Sequence, residues 1–317
     1  MIVNADTLQT GAQQFAFDIA KLRSLGGTDG AVYSDKHCVL KFVPTSPEKL
    51  PATQAKLDFA RYLRENDVPI AAPLPSIQGK LLEIIETAEG SFAVTKFPCV
   101  PGHHVDSRNA EEWNPAFFQR WGQIIGRMHT LTKTYPHTDA IGGWKQEHQS
   151  FAEWCRDDEV RSKWLQLGVI LQSFSPTPDC FGLVHNDLHQ WNMLYDHQSL
   201  TIIDFDVCNY QWFATDLAIP VFHSLWATDN FGKQHQGGAF VRFFLEHFMQ
   251  GYRQENEIDP VWLERLPLFL NYRRILLHTV FTDEWRNGDT WQKSLLSLWR
   301  QEIVNAMPVV EEISLAC

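Results

Sequence analysis

One stretch of this sequence carries the groups that phosphoryl transfer requires. Leu183-Val184 runs into His185-Asn186-Asp187-Leu188-His189-Gln190-Trp191-Asn192-Met193-Leu194. Further on, Thr201-Ile202-Ile203 ends at Asp204-Phe205-Asp206. The first apolar segment delivers a carboxylate, Asp187, and then a carboxamide, Asn192. The second delivers two more carboxylates. One carboxylate can orient or deprotonate an attacking hydroxyl, while an amide oxygen and a second carboxylate hold Mg2+ against nucleotide phosphates. Asn, Asp and His also favour turns, but turn-making alone does not ask for this spacing. His185 and His189 stand four apart, as in a helical zinc motif. No glutamate follows His185, and the strand-like Leu183-Val184 argues against a helix, so zinc is set aside.

Two upstream features suit the phosphate end of such a reaction. Gly26, Gly27 and Gly30 lie in Gly-Gly-Thr-Asp-Gly between strand-like segments. Glycine permits a tight turn whose backbone N–H groups approach phosphate oxygens. No Gly-Lys-Ser/Thr follows, so this is not a Walker loop. Lys41 stands inside the apolar run Cys38-Val39-Leu40-Lys41-Phe42-Val43. An unpaired ammonium there is costly to bury, and a strand lysine after a glycine turn is placed to neutralise phosphate charge.

The pattern His-x-Asp-x-x-x-x-Asn followed by Ile-Asp-Phe resembles the catalytic and metal-binding loops of the protein-kinase-like superfamily. His185-Asn186-Asp187-Leu188-His189, with Asn192 and Leu194, is closer still to the aminoglycoside phosphotransferase / choline kinase branch, which includes homoserine kinases and methylthioribose kinases. The likeness continues through Phe213-Ala214-Thr215-Asp216-Leu217-Ala218, Phe248 to Tyr252 and Leu268 to Arg274. It implies an ATP- and Mg2+-dependent small-molecule kinase. On it Asp187 is the catalytic base, His185 braces the loop, and Asn192 and Asp204 are the Mg2+ ligands. Lys41 touches the α- and β-phosphates. Phe97 to Val100 form the hinge along the adenine edge, with Phe97 and Cys99 in the nucleotide set. The acceptor wall comes from residues after the metal loop: Asp206, Trp212, Asp216, Trp226, Tyr272 and Arg273. Each of these keeps a structural alternative: Asp206 could instead pair with a neighbour, Asp216 could cap the helix beginning at Leu217, and any of the others could serve packing alone.

The sequence departs from the family pattern in one place. The strand lysine of kinases pairs with a glutamate on the following helix. Here that position falls near Lys56, with Asp58 a neighbouring acid and Glu48 a distant one. The departure keeps a nucleotide-binding pseudokinase open as an alternative. A protein Ser/Thr kinase is the other, opposed by the lack of Asp-Phe-Gly and Ala-Pro-Glu and by the short Cys208 to Phe213 segment. The leading acceptor is a hydroxyl of a small amino alcohol, amino acid or amino sugar, which fits a cationic substrate.

The elements that must position these groups read as an α+β, protein-kinase-like, two-lobe fold. Residues 1–97 suggest a small antiparallel sheet with one helix at 51–65, preceded by a leading helix in 1–20. Residues 98–317 suggest a mainly helical lobe holding the catalytic β-patch at 181–207. Its helices fall at 115–132, 149–172, 215–226, 237–255, 261–282 and 289–306, and Pro98 to Gly102 make the linker. ATP is expected between the lobes. With 317 residues, 44% hydrophobic and 21% charged, the chain can bury a sizeable core. A net charge of −11 argues against nucleic acid as a partner. Six cysteines without a CxxC pair read as reduced thiols. The start has no signal-peptide pattern, and no apolar run reaches the ~18–20 residues of a membrane span. A cytoplasmic monomer or homodimer is the expectation. Twelve tryptophans suggest helix packing, with a minority free to line a substrate pocket.

Overall fold

The computed structural model describes residues 2–26, 31–197, 199–228 and 234–310. They fall into two compact units. One contains Met1–His104, His137–Ile141 and Met193–Asp206, the other Val105–Pro136, Gly142–Asn192 and Val207–Cys317. The sequence expectation of 1–97 and 98–317 differs from this division at the return segments. The hairpin that ends at Asp204 groups with the N-terminal unit, because its strand β8 pairs with His103–His104.

The chain begins with α1 (Ala5–Gln14), whose N-cap Asn4 accepts the Thr7 N–H at 2.9 Å. Ala16 takes a positive φ of 57° and stops the helix early. Strands β1 (Arg23–Gly26), β2 (Val32–Ser34) and β3 (Cys38–Thr45), helix α2 (Leu50–Glu65), and strands β4 (Glu83–Thr87), β5 (Gly90–Pro98) and β6 (His103–His104) follow. The next stretch carries α3 (Pro115–Thr132), α4 (Trp144–Trp154), α5 (Asp158–Gln172) and β7 (Phe181–Val184). Then come β8 (Met193–Asp196), β9 (Ser199–Ile202), β10 (Asn209–Trp212), α6 (Phe213–Ala227), α7 (Gln234–Glu255), α8 (Pro260–Glu264), α9 (Leu266–Glu284) and α10 (Thr290–Val304).

In the first unit, an antiparallel sheet of order β1-β2-β3-β5-β4 is built on alternation along β3. Leu40 and Phe42 point into a core with Ala12 of α1, Phe15 just after it, and Phe92 and Val94 of β5. Lys41, one residue out of phase, points to the other face. There it stands in register with Thr95 of β5 and Val32 of β2. That face also carries Ala93, which packs with Leu57 of α2 and with Leu81 and Leu82. The sheet phase thus sends Lys41 to the face that α2 covers.

The second unit is mainly helical, with β7 and β10 paired antiparallel at its centre (Val184↔Asn209, Leu183↔Tyr210). Helices α3 and α7 touch through glycines. A Cβ on Gly122 would stand 1.9 Å from the Phe248 carbonyl oxygen, and one on Gly251 would stand 1.7 Å from that of Gln119. Only glycine lets the two backbones come this close. Two helices read from the sequence as single rods are broken. The span 149–172 divides at Cys155–Asp157, where Asp157 caps α5 by accepting the Glu159 and Val160 N–H groups at 3.1 Å. The span 261–282 divides before Leu266, where Pro267 opens α9.

Candidate active site

In the first unit Lys41, Lys56, Asp204 and Asp206 form one connected group. The Lys41 ammonium lies 2.7 Å from Asp206 Oδ2 and 3.2 Å from Asp204 Oδ1. Burial opposes a charge on Lys41, but the two carboxylates outweigh it and hold its pKa above the ordinary lysine value. Lys56, on α2, does not face an anion in the usual way. Its Nζ donates to the backbone carbonyl oxygen of Asp206 at 2.5 Å. Neither Asp58 nor Glu48 is the partner of Lys41 here: Asp58 is bonded to Gln54 and Arg61, and the Glu48 carboxyl is held low by Ser46. Asp204 has a φ of +68°, a left-handed conformation that Asp and Asn tolerate better than most residues. Its position therefore has a backbone reason as well as a chemical one.

The expected hinge residues lie in the same unit. Phe97 sits on β5 opposite Val39, and the Cys99 N–H donates to the His37 carbonyl at 2.8 Å. Gly26 closes β1 at a positive φ of 87°. Gly27 and Gly30 lie outside the described residues.

In the second unit the loop after β7 carries Asp187. Asn186 precedes it with φ +65°, and the turn is held by a buried carboxylate. Asp216 Oδ2 accepts the His185 N–H at 3.0 Å, and its Oδ1 accepts the Asn186 N–H at 2.8 Å. Asp216 is fully buried, with His129 Nε2 at 3.5 Å; His129 itself stacks on Phe213. Because α6 already begins at Phe213, Asp216 does not cap it; buried away from any wall, it holds the loop that carries Asp187. His185 is buried as well.

The Asp187 carboxylate is surrounded by donors. Arg273 Nη2 donates to its Oδ1, Asn192 Nδ2 donates to its Oδ2 at 3.2 Å, and His189 Nε2 stands 3.5 Å from Oδ2. Burial would raise the Asp187 pKa, but Arg273 and His189 overcome it and hold the carboxyl well below the usual carboxylate range. Arg273 also donates to His223 Nε2, from Nε at 3.2 Å and Nη2 at 2.9 Å. A nitrogen that accepts from a guanidinium carries no proton, so His223 is neutral with its proton on Nδ1. Its burial keeps it so, with a pKa well below the ordinary value. Arg273 is therefore a positioning group for Asp187 rather than an open substrate wall. Ligating atoms of Asp187, His189 and His223 lie within 4.8 Å of one another, a spacing open to a metal ion. Arg273 already binds two of the three, which excludes a second cation there.

Two wall candidates are core residues. Trp212 stacks on Trp262 and packs edge-on to Phe174 and Phe181. Tyr272 packs on Trp164 and its hydroxyl donates to Glu147 Oε1 at 2.7 Å. Glu147, which sequence reasoning missed, also accepts from Asn186, Asn209 and Gln211. Burial pushes its carboxyl up, against the bonds from Tyr272 and Asn186. Nothing in the helix around Glu147 marks it, and His223 is equally silent, because both partnerships join distant segments. Trp191 does face solvent, 41% exposed. It packs edge-on to His189 at 5.5 Å and to Trp226 at 5.8 Å.

Hard oxygen donors suit Mg2+, and each unit, taken by itself, carries one of the two expected ligands. In the second, Asn192 gives its Nδ2 to the Asp187 carbonyl oxygen at 2.9 Å and to its carboxylate, so its amide oxygen is the end suited to a metal. In the first, the Asp204 carboxylate is a donor of the same kind.

The sequence profile of the phosphotransferase enzyme family (APH) matches residues 25–257. The chain belongs to that family. An amicoumacin kinase from Bacillus subtilis (strain 168) is 30% identical over 95% of this chain and 92% of its own. A solved amicoumacin kinase, in complex with AMP-PNP, Ca2+ and Ami, superposes with a TM-score of 0.86 at 28% identity over 97% of this chain and 95% of its own. A microcompartment-associated aminopropanol kinase shares the fold, with a TM-score of 0.72 at 20% identity over 95% of each chain. As a member of that family the chain is a kinase acting on a small-molecule hydroxyl, with the protein-kinase-like fold. Membership and these relatives favour neither a protein kinase nor a pseudokinase.

Proposed function

We propose that the acceptor is a small amino-bearing alcohol, with amicoumacin the first compound to test. The amicoumacin kinases match this chain over nearly its whole length, and that coverage supports carrying the acceptor over. In this reading Asp187 accepts a hydrogen bond from the acceptor hydroxyl and aims its oxygen at the γ-phosphorus. The carboxylate, held well below the usual range, is ionised at every working pH and orients the hydroxyl throughout. His185 and Asp216 keep the loop still. Lys41 binds the α- and β-phosphates, and the backbone at Gly26 approaches the triphosphate. Phe97 and Cys99 flank the adenine. Asn192 and Asp204 hold Mg2+, which when bound neutralises charge developing on the phosphates. The observation that carries the reading is the fixed Asp187 carboxylate, with Arg273, Asn192 and His189 setting its orientation.

On the acceptor side, the exposed Trp191 face next to His189 offers a surface for an ammonium. No described helix is long and apolar enough to cross a membrane. The described cysteines are free thiols, and we place the chain in the cytoplasm on that account.

The test is a panel of amicoumacin, aminopropanol, aminoglycosides, choline and neutral sugars with Mg-ATP, followed by ADP release. An amino-bearing alcohol should be the best substrate. Trp191→Ala should raise its KM by about 3–10-fold and leave the KM for ATP unchanged. A preference for neutral sugars, with AMP-PNP bound normally, would contradict the acceptor class and leave the kinase assignment standing.

A further inference from the structure

We infer that Asp206 replaces the helix glutamate of the family as the positioning partner of Lys41, and so keeps Asp204 available to the metal. The charges of this pair are exchanged between elements. In the family pattern, the helix supplies the anion. Here α2 supplies a cation, Lys56, and the loop after β9 supplies the anion. The two halves are joined through one residue. The Asp206 side chain meets Lys41 at 2.7 Å, and its backbone carbonyl receives the Lys56 ammonium at 2.5 Å. Helix α2 thus still braces Lys41, at one remove.

Electrostatics says why the loop needs two acids. Lys41 touches both Asp204, at 3.2 Å, and Asp206, at 2.7 Å. With Asp206 present, the ammonium has a closer anion than the metal-ligand candidate. With Asp206 neutralised, Asp204 becomes the one carboxylate in contact with Lys41 among the described residues. A divalent cation must then compete with that ammonium for the Asp204 oxygens. Lys56 adds a second role: its bond holds the Asp206 peptide, from which the carboxylate reaches Lys41. A glutamate at position 56 would meet the Asp206 carbonyl oxygen that now accepts from Lys56 and would repel it.

The inference rests on Asp204 as a metal ligand, and the experiment separates the two. AMP-PNP binding to the full chain is followed by calorimetry across a Mg2+ titration, for wild type, Asp206→Asn, Asp206→Glu, Lys56→Gln and Asp204→Asn. Thermal melting confirms folding, which Asp206→Asn should preserve because that side chain is half exposed. Asp206→Asn should shift the Mg2+ midpoint upward by about tenfold, the loss of one charged hydrogen bond, and saturating Mg2+ should restore affinity. Asp206→Glu should restore the wild-type midpoint, and Lys56→Gln should shift it in the same direction by a smaller factor. An Asp206→Asn midpoint within about twofold of wild type, or an Asp206→Glu midpoint no better than Asp206→Asn, overturns the inference. Asp204→Asn should remove the Mg2+ dependence altogether. If it does not, the metal-ligand reading fails and Asp206 falls with it.

Discussion

The Asp187 carboxylate illustrates how a single residue is tuned by partners that sequence spacing does not reveal. His189 and Asn192 belong to the same loop and are legible in the motif. Arg273 and His223 come from α9 and α6 and appeared in the sequence only as wall candidates or not at all. The same contrast governs His278, whose burial lowers its pKa from 6.5 to about 4. The sign follows from the native state refusing a proton that the unfolded chain accepts. Stability from His278 is complete above pH 6.5 and is lost as pH falls toward 4. Between pH 7 and 5 this amounts to about 2 kcal/mol. Thermal melts at these two pH values should show a smaller loss for His278→Gln than for wild type. Equal losses would show that His278 does not titrate as its burial requires. His129 and His223 are lowered by burial in the same direction, so the wild-type loss should exceed the His278 share.

At the scale of elements, periodicity located helices well and their ends less well. The span 115–132 became α3, and 51–65 became α2, because their apolar positions recur at helical spacing against a core. The break at Asp157 depends on a side chain turning back to cap α5. The break before Leu266 was written in Pro267, which opens a helix more readily than it continues one. The strand at 38–43 was legible as an apolar run, but its phase was not: only the structure shows Lys41 opposite Leu40 and Phe42. The contact between α3 and α7 was not legible, because a glycine in a helix has no partner in the local sequence. Gly251→Ala tests that contact. The added methyl meets the Gln119 carbonyl oxygen, a backbone atom that cannot turn aside. The substitution should cost about 1–3 kcal/mol of stability, read from chemical denaturation. An unchanged midpoint would mean the helices can slide apart freely.

For the whole molecule, the family was legible from two short motifs because phosphoryl transfer fixes residue types and spacing tightly. The unit boundaries were less legible: the chain returns to the first unit for β8 and β9, a long-range pairing that no linker composition announces. The pairing of Lys41 was least legible. The sequence showed that the expected glutamate is Lys56, and only the fold shows Asp206 meeting the lysine. The account as a whole stands on Asp187 as the group that aims the acceptor hydroxyl. Single-turnover transfer from Mg-ATP to the acceptor identified by the panel, measured beside AMP-PNP affinity, tests this directly. Asp187→Asn should bind AMP-PNP as wild type does and lose transfer by about 10²–10⁴-fold. Transfer at the wild-type rate in that variant would contradict the account.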